Sequence, residues 1–353
     1  MIHIPVLAWA TLAALAVSVV AVRAAIWAAD RLRYHSVAGS EAHKIQTRNV
    51  PYGGGLGMAL AMLVGVGLGY GLGGATSLAG DAPVNHGPLW GMFSGALILL
   101  VAGALDDRKA MPPRAKLVLQ FAAAALSVWG SDLRIDSLQA WPVLAYGVAW
   151  CWLILVTNAF NLLDHADGLS GSAALVSACV ILSGAFMAGD VALGLVMACL
   201  VATLAGFLVW NLPPARVYMG DAGALPLGHL IGCGTLAVTF WPAGAGTGSW
   251  LAIFTPLIIT AIPLFDTAVV VLKRLRRGTP LMKGDRNHIG HRLVRLGLTP
   301  LMALGVVIAL QTALAASALQ LRSGDLTTGL IALAQNAAIL VAVLLLETIR
   351  DHG

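Results

Sequence analysis

The chain has 353 residues, 59% of them hydrophobic and 10% charged, with a net charge of +5, and a mean hydropathy of +0.85. A soluble protein of this length would form two or three domains, but this composition excludes that class and gives no basis for a nucleic-acid partner; it describes an integral membrane protein. The 16 acidic residues include two Glu, Glu41 and Glu347, so nearly every negative charge is an Asp, and an Asp in or near an apolar run needs a reason.

In chain order, apolar runs broken by Gly, Pro and charge predict spans near 4–30, 56–75, 89–105, 114–130, 141–160, 169–188, 191–210, 222–241, 250–272, 300–321 and 327–348. The expected fold is all-α, with about 11 membrane helices in a single polytopic domain over 1–353 and active-site loops near 31–56, 106–114, 158–168, 211–221 and 273–299. No Lys or Arg precedes Arg23, so the first run reads as an uncleaved helix rather than a secretory signal. Sorting the connecting segments alternately onto two sides puts 18 Lys and Arg on one side and two, Arg134 and Arg322, on the other. The positive-inside rule then predicts an outer N-terminus and a cytoplasmic C-terminus. Cys151, Cys179, Cys199 and Cys233 lie in apolar runs without metal-like spacing and read as small hydrophobes. Gly65, Gly69 and Gly73 in the second span form a small-residue packing face.

The polar clusters gather on the basic side. Lys44 lies in the first basic loop, and Gly53-Gly54-Gly55-Leu-Gly57 opens the second span, where backbone N–H groups could meet a phosphate. Asp106-Asp107 ends the third span at the negative end of a helix dipole, so a cation or a phosphate-binding arrangement is expected to compensate it, with Lys116 as a phosphate ligand; solvation beside Arg108 and Lys109 is the plain alternative. Asn158, Asn161, Asp164 and Asp167 recur every third residue, a step that falls short of a helical turn. A single ligand-facing stripe therefore requires the helix to unwind toward Gly168. Asn211 begins a Pro-rich segment that leads to Asp221, a potential N-cap. Asp266, inside a span, costs roughly 2.5–3.5 kcal/mol without a partner. In the largest loop, Asp285-Arg286-Asn-His288-Ile-Gly290-His291-Arg292 places two imidazoles three residues apart beside arginines. That arrangement suits an anionic diphosphate, with a metal pair or a solvated basic face as alternatives.

In this order, the blocks Val50 to Gly55, Gly103 to Asp107 with Lys116 and Gln120, Asn158 to Leu169, Asn211 to Gly228, Pro263 to Asp266 and Asp285 to Leu293 resemble the polyprenyl-phosphate N-acetylhexosamine-1-phosphate transferase family. The GlcNAc-1-phosphate branch is the nearer one. The resemblance implies transfer of a sugar-1-phosphate from a UDP-N-acetylhexosamine to a polyprenyl phosphate such as undecaprenyl phosphate. UMP leaves, Mg²⁺ (or Mn²⁺) is the cofactor, and the setting is the cytoplasmic face of a bacterial inner membrane, in envelope polysaccharide synthesis. It assigns Asp106, Asp107 and His288 to catalysis, and Asp221 and Asp164 to the metal. Lys44, Lys116, Asn158, Asn161, Asp167, Asn211, Arg286, His291 and Arg292 go to substrate binding, and a homodimer is left open. This chain departs from the family pattern at several places. Tyr52 follows Pro51 where Arg is frequent, His165 stands where Gly is common, and Ala224 stands where Ser is usual. The final His-x-His-His motif reads His288-Ile-Gly290-His291. A transporter is the competing class, and it predicts polar groups near the bilayer midplane and an outward-facing site.

Overall fold

A computed structural model of the chain describes residues 4–32, 35–36, 49–77, 87–135, 138, 140–240, 250–280, 288–323 and 325–348. The fold is an all-α bundle: α1 Ile4–Leu32, α2 Gly54–Ser77, α3 Gly87–Arg108, α4 Pro113–Gly130, α5 Pro142–Leu163, α6 Leu169–Ala188, α7 Val191–Asn211, α8 Asp221–Phe240, α9 Thr255–Ile259, α10 Ala261–Arg276, α11 Ile289–Arg295, α12 Pro300–Ala316, α13 Ala318–Ser323 and α14 Leu326–Thr348. A two-residue antiparallel pairing, His35–Ser36 with Val50–Pro51, is the strand structure of the described residues.

Local chemistry sets the helix boundaries. Pro113, Pro142 and Pro300 each stand in the first turn of α4, α5 and α12, where a missing N–H costs nothing. Gly189 ends α6 in the left-handed conformation, and the next residue, Asp190, caps α7 by accepting the Leu193 N–H at 2.9 Å.

Nine helices among the described residues are long and apolar enough to cross a membrane, or ten if one bent pair counts as a single span. The count expected from the sequence was about eleven. The difference lies in α4, a helix of 18 residues whose run is diluted by Arg114, Lys116 and Gln120, and in 251–276, which is bent by 76° at Thr260. The break exposes backbone groups that lipid cannot satisfy. Gln311 of α12 meets them, accepting from Ile262 N at 3.2 Å and donating to the Ile259 carbonyl at 2.7 Å, and Ser177 of α6 donates to that same carbonyl at 2.8 Å.

α8 is the axis of the bundle, with 94% of its span buried against 17% for each of α1 and α14. α3 and α5 pack along it, while α1, α2 and α7 form a neighbouring layer. Within that layer Gly65 faces Ala14 and Cys199, and Gly69 faces Leu195, whereas Gly67 and Gly71 touch nothing, so the glycine stripe of α2 is a packing face on alternate residues. Two of the four cysteines, Cys199 and Cys233, are buried as expected; Cys151 and Cys179 instead lie exposed on the outside of the bundle. Because successive long helices alternate in direction, the ends of α3, α5 and α7 and the starts of α4, α6 and α8 meet at one end of the bundle. The Asp and Asn clusters are there.

Candidate active site

The start of α8 is the centre of this end. The sequence suggests Asp221 as its own cap, but the cap comes from α3: Asp107 accepts the Asp221 N–H at 2.8 Å through one oxygen and the Ala222 N–H at 3.0 Å through the other. A carboxylate on two free N–H groups at a helix N-terminus is favourable both as hydrogen bonding and through the dipole. The approach requires Gly103, since a Cβ there would stand 2.2 Å from the Asp221 carbonyl oxygen.

With its backbone held in this way, the Asp221 side chain is turned outward. It accepts from Asn161 Nδ2 at 2.8 Å and forms a short ion pair with Lys116 Nζ, which is also 3.5 Å from Asp106. Asp106 in turn accepts the Met111 N–H at 2.7 Å. Lys116 is therefore the positive charge between two carboxylates, and all three side chains are about one-fifth exposed.

The turn after α5 joins this cluster to the rest of the site. Helix α5 ends at Leu163, and Gly168 takes φ +73°, so the helix does unwind where the polar repeat runs. The repeat is nevertheless not one stripe. Asn158 pairs with Gln120 of α4 at 2.7 Å, Asn161 reaches Asp221, and Asp167 accepts the Ala215 N–H at 2.9 Å. Asn211, buried, accepts from Gly168 N at 3.0 Å and donates to the Val217 carbonyl at 2.8 Å, which ties the turn to the Pro-rich segment. The Asp164 carboxylate has no hydrogen-bond or ion-pair partner among the described residues, although its N–H donates to the Phe160 carbonyl at 3.1 Å. Burial and the nearby charges of Asp107 and Asp167 push its carboxyl well above the usual range, and burial also raises Asp167. Burial is the main cause of both shifts, and only that of Asp164 also reflects neighbouring negative charge.

The second half of the site centres on Asp266, whose need for a partner the sequence states without naming one. Asp266 is buried and lies 2.7 Å from His288 Nδ1 and 3.3 Å from an Arg292 nitrogen, and it accepts the Ile289 N–H at 2.6 Å. It thereby caps α11 and fixes His288 and Arg292 at once. His165, from the α5 turn, stacks on His288 with ring centroids 4.3 Å apart and lies 4.8 Å from His291. Burial and the neighbouring imidazoles lower its pKa to about 3, so the ring is neutral at pH 7. His165, Asp266 and His288 are the compact group of three ligand-type side chains among the described residues. Asp164 and Asp221 are not part of such a group. Both Asp266 oxygens are already engaged, one of them with a guanidinium, which makes this group a poorer host for a cation than its residue types suggest.

Two expectations fare differently. The glycine-rich start of α2 does not offer its N–H groups to a phosphate: Gly54 and Gly55 donate them to the carbonyls of Tyr218 and Met219, both at 3.1 Å, and bind the α7–α8 segment instead. Lys44 and Arg286 lie outside the described residues. Asp266 and His165 are the site residues that sequence reasoning left without a function. For Asp266 the signal was the cost of its burial, and for His165 it was the departure from Gly.

Residues 89–240, from α3 to α8, match the family described as glycosyl transferase family 4. The matched segment is less than half of the chain, which resembles glycosyl transferase family 4 from α3 to α8. It is similar to a probable undecaprenyl-phosphate N-acetylglucosaminyl 1-phosphate transferase of Bacillus subtilis, 30% identical with 66% of this chain and 65% of that protein aligned. It is also similar to the undecaprenyl-phosphate alpha-N-acetylglucosaminyl 1-phosphate transferase of Escherichia coli strain K12, at 29% with 67% and 66% aligned. A decaprenyl-phosphate N-acetylglucosaminephosphotransferase of Mycolicibacterium smegmatis is 26% identical, with 75% and 70% aligned. The chain thus spans about two thirds of the length of these relatives. The family 4 region contains the carboxylate half of the site entirely, while the Asp266–His288 half lies beyond it.

Proposed function

We propose that this protein is a member of glycosyl transferase family 4 and transfers N-acetylglucosamine-1-phosphate, or a closely related N-acetylhexosamine-1-phosphate, from a UDP-sugar to a polyprenyl phosphate, with UMP released, at the cytoplasmic face of a bacterial inner membrane. The observation that carries the reading is the convergence of Asp106, Asp107, Asp164, Asp167 and Asp221 with Lys116 at one end of an apolar bundle. It is supported by relatives named for polyprenyl-phosphate sugar-phosphate transfer.

An oxygen of the lipid phosphate attacks the sugar-linked phosphorus, the bond from that phosphorus to the bridging oxygen breaks, and UMP departs. A phosphate monoester's second pKa is about 6, so the acceptor is largely dianionic without a strong base. What the protein has to supply is position and charge neutralisation. Lys116, between Asp106 and Asp221, is placed to exchange a carboxylate for a phosphate oxygen. Asp107 acts through α8, whose first residues it fixes. Asn158, Asn161, Asp167 and Asn211 shape the nucleotide-sugar side, and His288, His291 and Arg292 face its diphosphate. The donor set fits a hard divalent cation such as Mg²⁺. The Asp164 carboxylate has no partner among the described residues, and Asp221 already holds a positive group; these two would bind the ion, which would neutralise charge on the diphosphate.

The test is UMP release from purified protein given undecaprenyl phosphate and a panel of UDP-sugars. Release that depends on both substrates and on a UDP-N-acetylhexosamine supports the proposal; release with no sugar in the panel overturns it. A transporter would instead take up labelled substrate into proteoliposomes without UMP release.

A further inference from the structure

The His165 ring stands on the turn after α5, yet its neighbours are His288 at 4.3 Å and His291 at 4.8 Å between ring centroids, from the segment that opens α11. Its Nδ1 lies 3.1 Å from the Leu162 carbonyl oxygen, which can only accept, so Nδ1 carries the hydrogen and Nε2 presents a lone pair. That Nε2 is buried without a hydrogen-bond partner among the described residues. It points at residue 290: a Cβ added to Gly290 would stand 3.1 Å from His165 Nε2 and 3.2 Å from Leu169 Cδ2. Gly290 is itself buried. A Cβ there would already crowd the His165 ring and Leu169 by a few tenths of an ångström, so a side chain at 290 and the ring at 165 compete for space.

We infer that His165 is the third imidazole of the substrate-facing cluster, delivered from the α5–α6 turn into the space that Gly290 leaves open, and that it is a positioning residue for His288. The division of labour is geometric. Asp266 holds the edge of the His288 ring through Nδ1, and His165 covers its face at an interplanar angle of 26°. The ring is locked in both respects. The ligand of the cluster rests on the transferase reading above; the exchange of one ring between two positions does not.

The experiment compares wild type, His165→Gly, Gly290→His and the double variant. Three measurements are made on the full chain in detergent: thermal stability, UDP binding by calorimetry, and KM and kcat for UMP release. His165→Gly is expected to weaken UDP binding and raise the KM for UDP-N-acetylglucosamine about tenfold, with a smaller effect on kcat. Gly290→His alone lowers Tm, because two rings compete for one space. The double variant recovers Tm and brings KM back to within about threefold of wild type, the mark of coupled neighbours. Should Gly290→His fail to fold, Gly290→Ala, with its single Cβ against His165 Nε2, gives the same sign of coupling with His165→Gly. Wild-type UDP binding and KM in His165→Gly would reduce the ring to filler, and a double variant no better than Gly290→His would show that the positions share no ring; either result overturns the inference. If wild type releases no UMP, the transferase reading falls, and the Tm comparison still decides the exchange.

Discussion

Adjacent carboxylates in this protein have unlike tasks. Asp107 gives both oxygens to the N–H groups that open α8, whereas Asp106 faces Lys116. Asp107→Asn leaves one good acceptor for two donors. We expect it to cost about 1–2 kcal/mol of stability, the scale of a lost helix cap, and to reduce turnover sharply because Asp221 loses its bearing. Asp106→Asn should reduce turnover with little change in Tm. Differential scanning fluorimetry beside UMP release separates the two; equal Tm losses would contradict the distinction. Asp221→Asn keeps the bond with Asn161 within reach but removes the charge opposite Lys116. It should fold, insert and lose metal-dependent nucleotide-sugar binding, so wild-type turnover at low Mg²⁺ would remove Asp221 from the proposed ion site. At this scale the sequence shows which residues are costly but not their partners. Asp266 is conspicuous in an apolar run, yet nothing local to it names His288, Ile289 and Arg292, which come from a distant loop.

Among the elements, α3 and α8 hold the site together through a contact without side chains at its tightest point. Gly103→Ala should push the two helices apart, with an overpacking cost of about 1–3 kcal/mol, and move the Asp107 cap away from α8. Activity is then expected to fall further than stability does. Retention of both Tm and turnover in that variant would show that the contact has slack. The helices themselves are legible from apolar runs, and their ends from Pro at first turns and Gly189-Asp190 between α6 and α7. The partner at the break near Thr260, where Pro263 has no N–H for the Ile259 carbonyl, is not, because Gln311 comes from another helix. Nor is the direction taken by each residue of the Asn158–Asp167 repeat. Its period excludes one helical stripe, but only the packing of α4 and α8 against α5 shows that the residues fan out to different partners.

On the scale of the whole molecule, the asymmetry of basic residues predicts that the carboxylate end faces the cytoplasm. Ala110 and Ala140 flank α4 at opposite ends and are both exposed. In a variant without native cysteines, Ala140→Cys should react with a membrane-impermeant maleimide added to intact cells, and Ala110→Cys only after permeabilisation. The reverse pattern would invert the proposed topology.

The turn between α5 and α6 has a kinetic consequence. Asn161, in the last turn of α5, serves the Asp221–Lys116 cluster and His165, in the turn itself, serves the His288 cluster, so a displacement at one end is transmitted to the other through a short, hydrogen-bonded stretch of backbone. Lipid phosphate held at Lys116 and nucleotide sugar held at the His288 cluster would both restrain that stretch, so each lowers the ordering cost of binding the other. The two substrates should therefore show synergy, each tightening the apparent affinity for its partner by the same factor. The initial-rate plots should intersect, as a sequential mechanism requires, and should not run parallel.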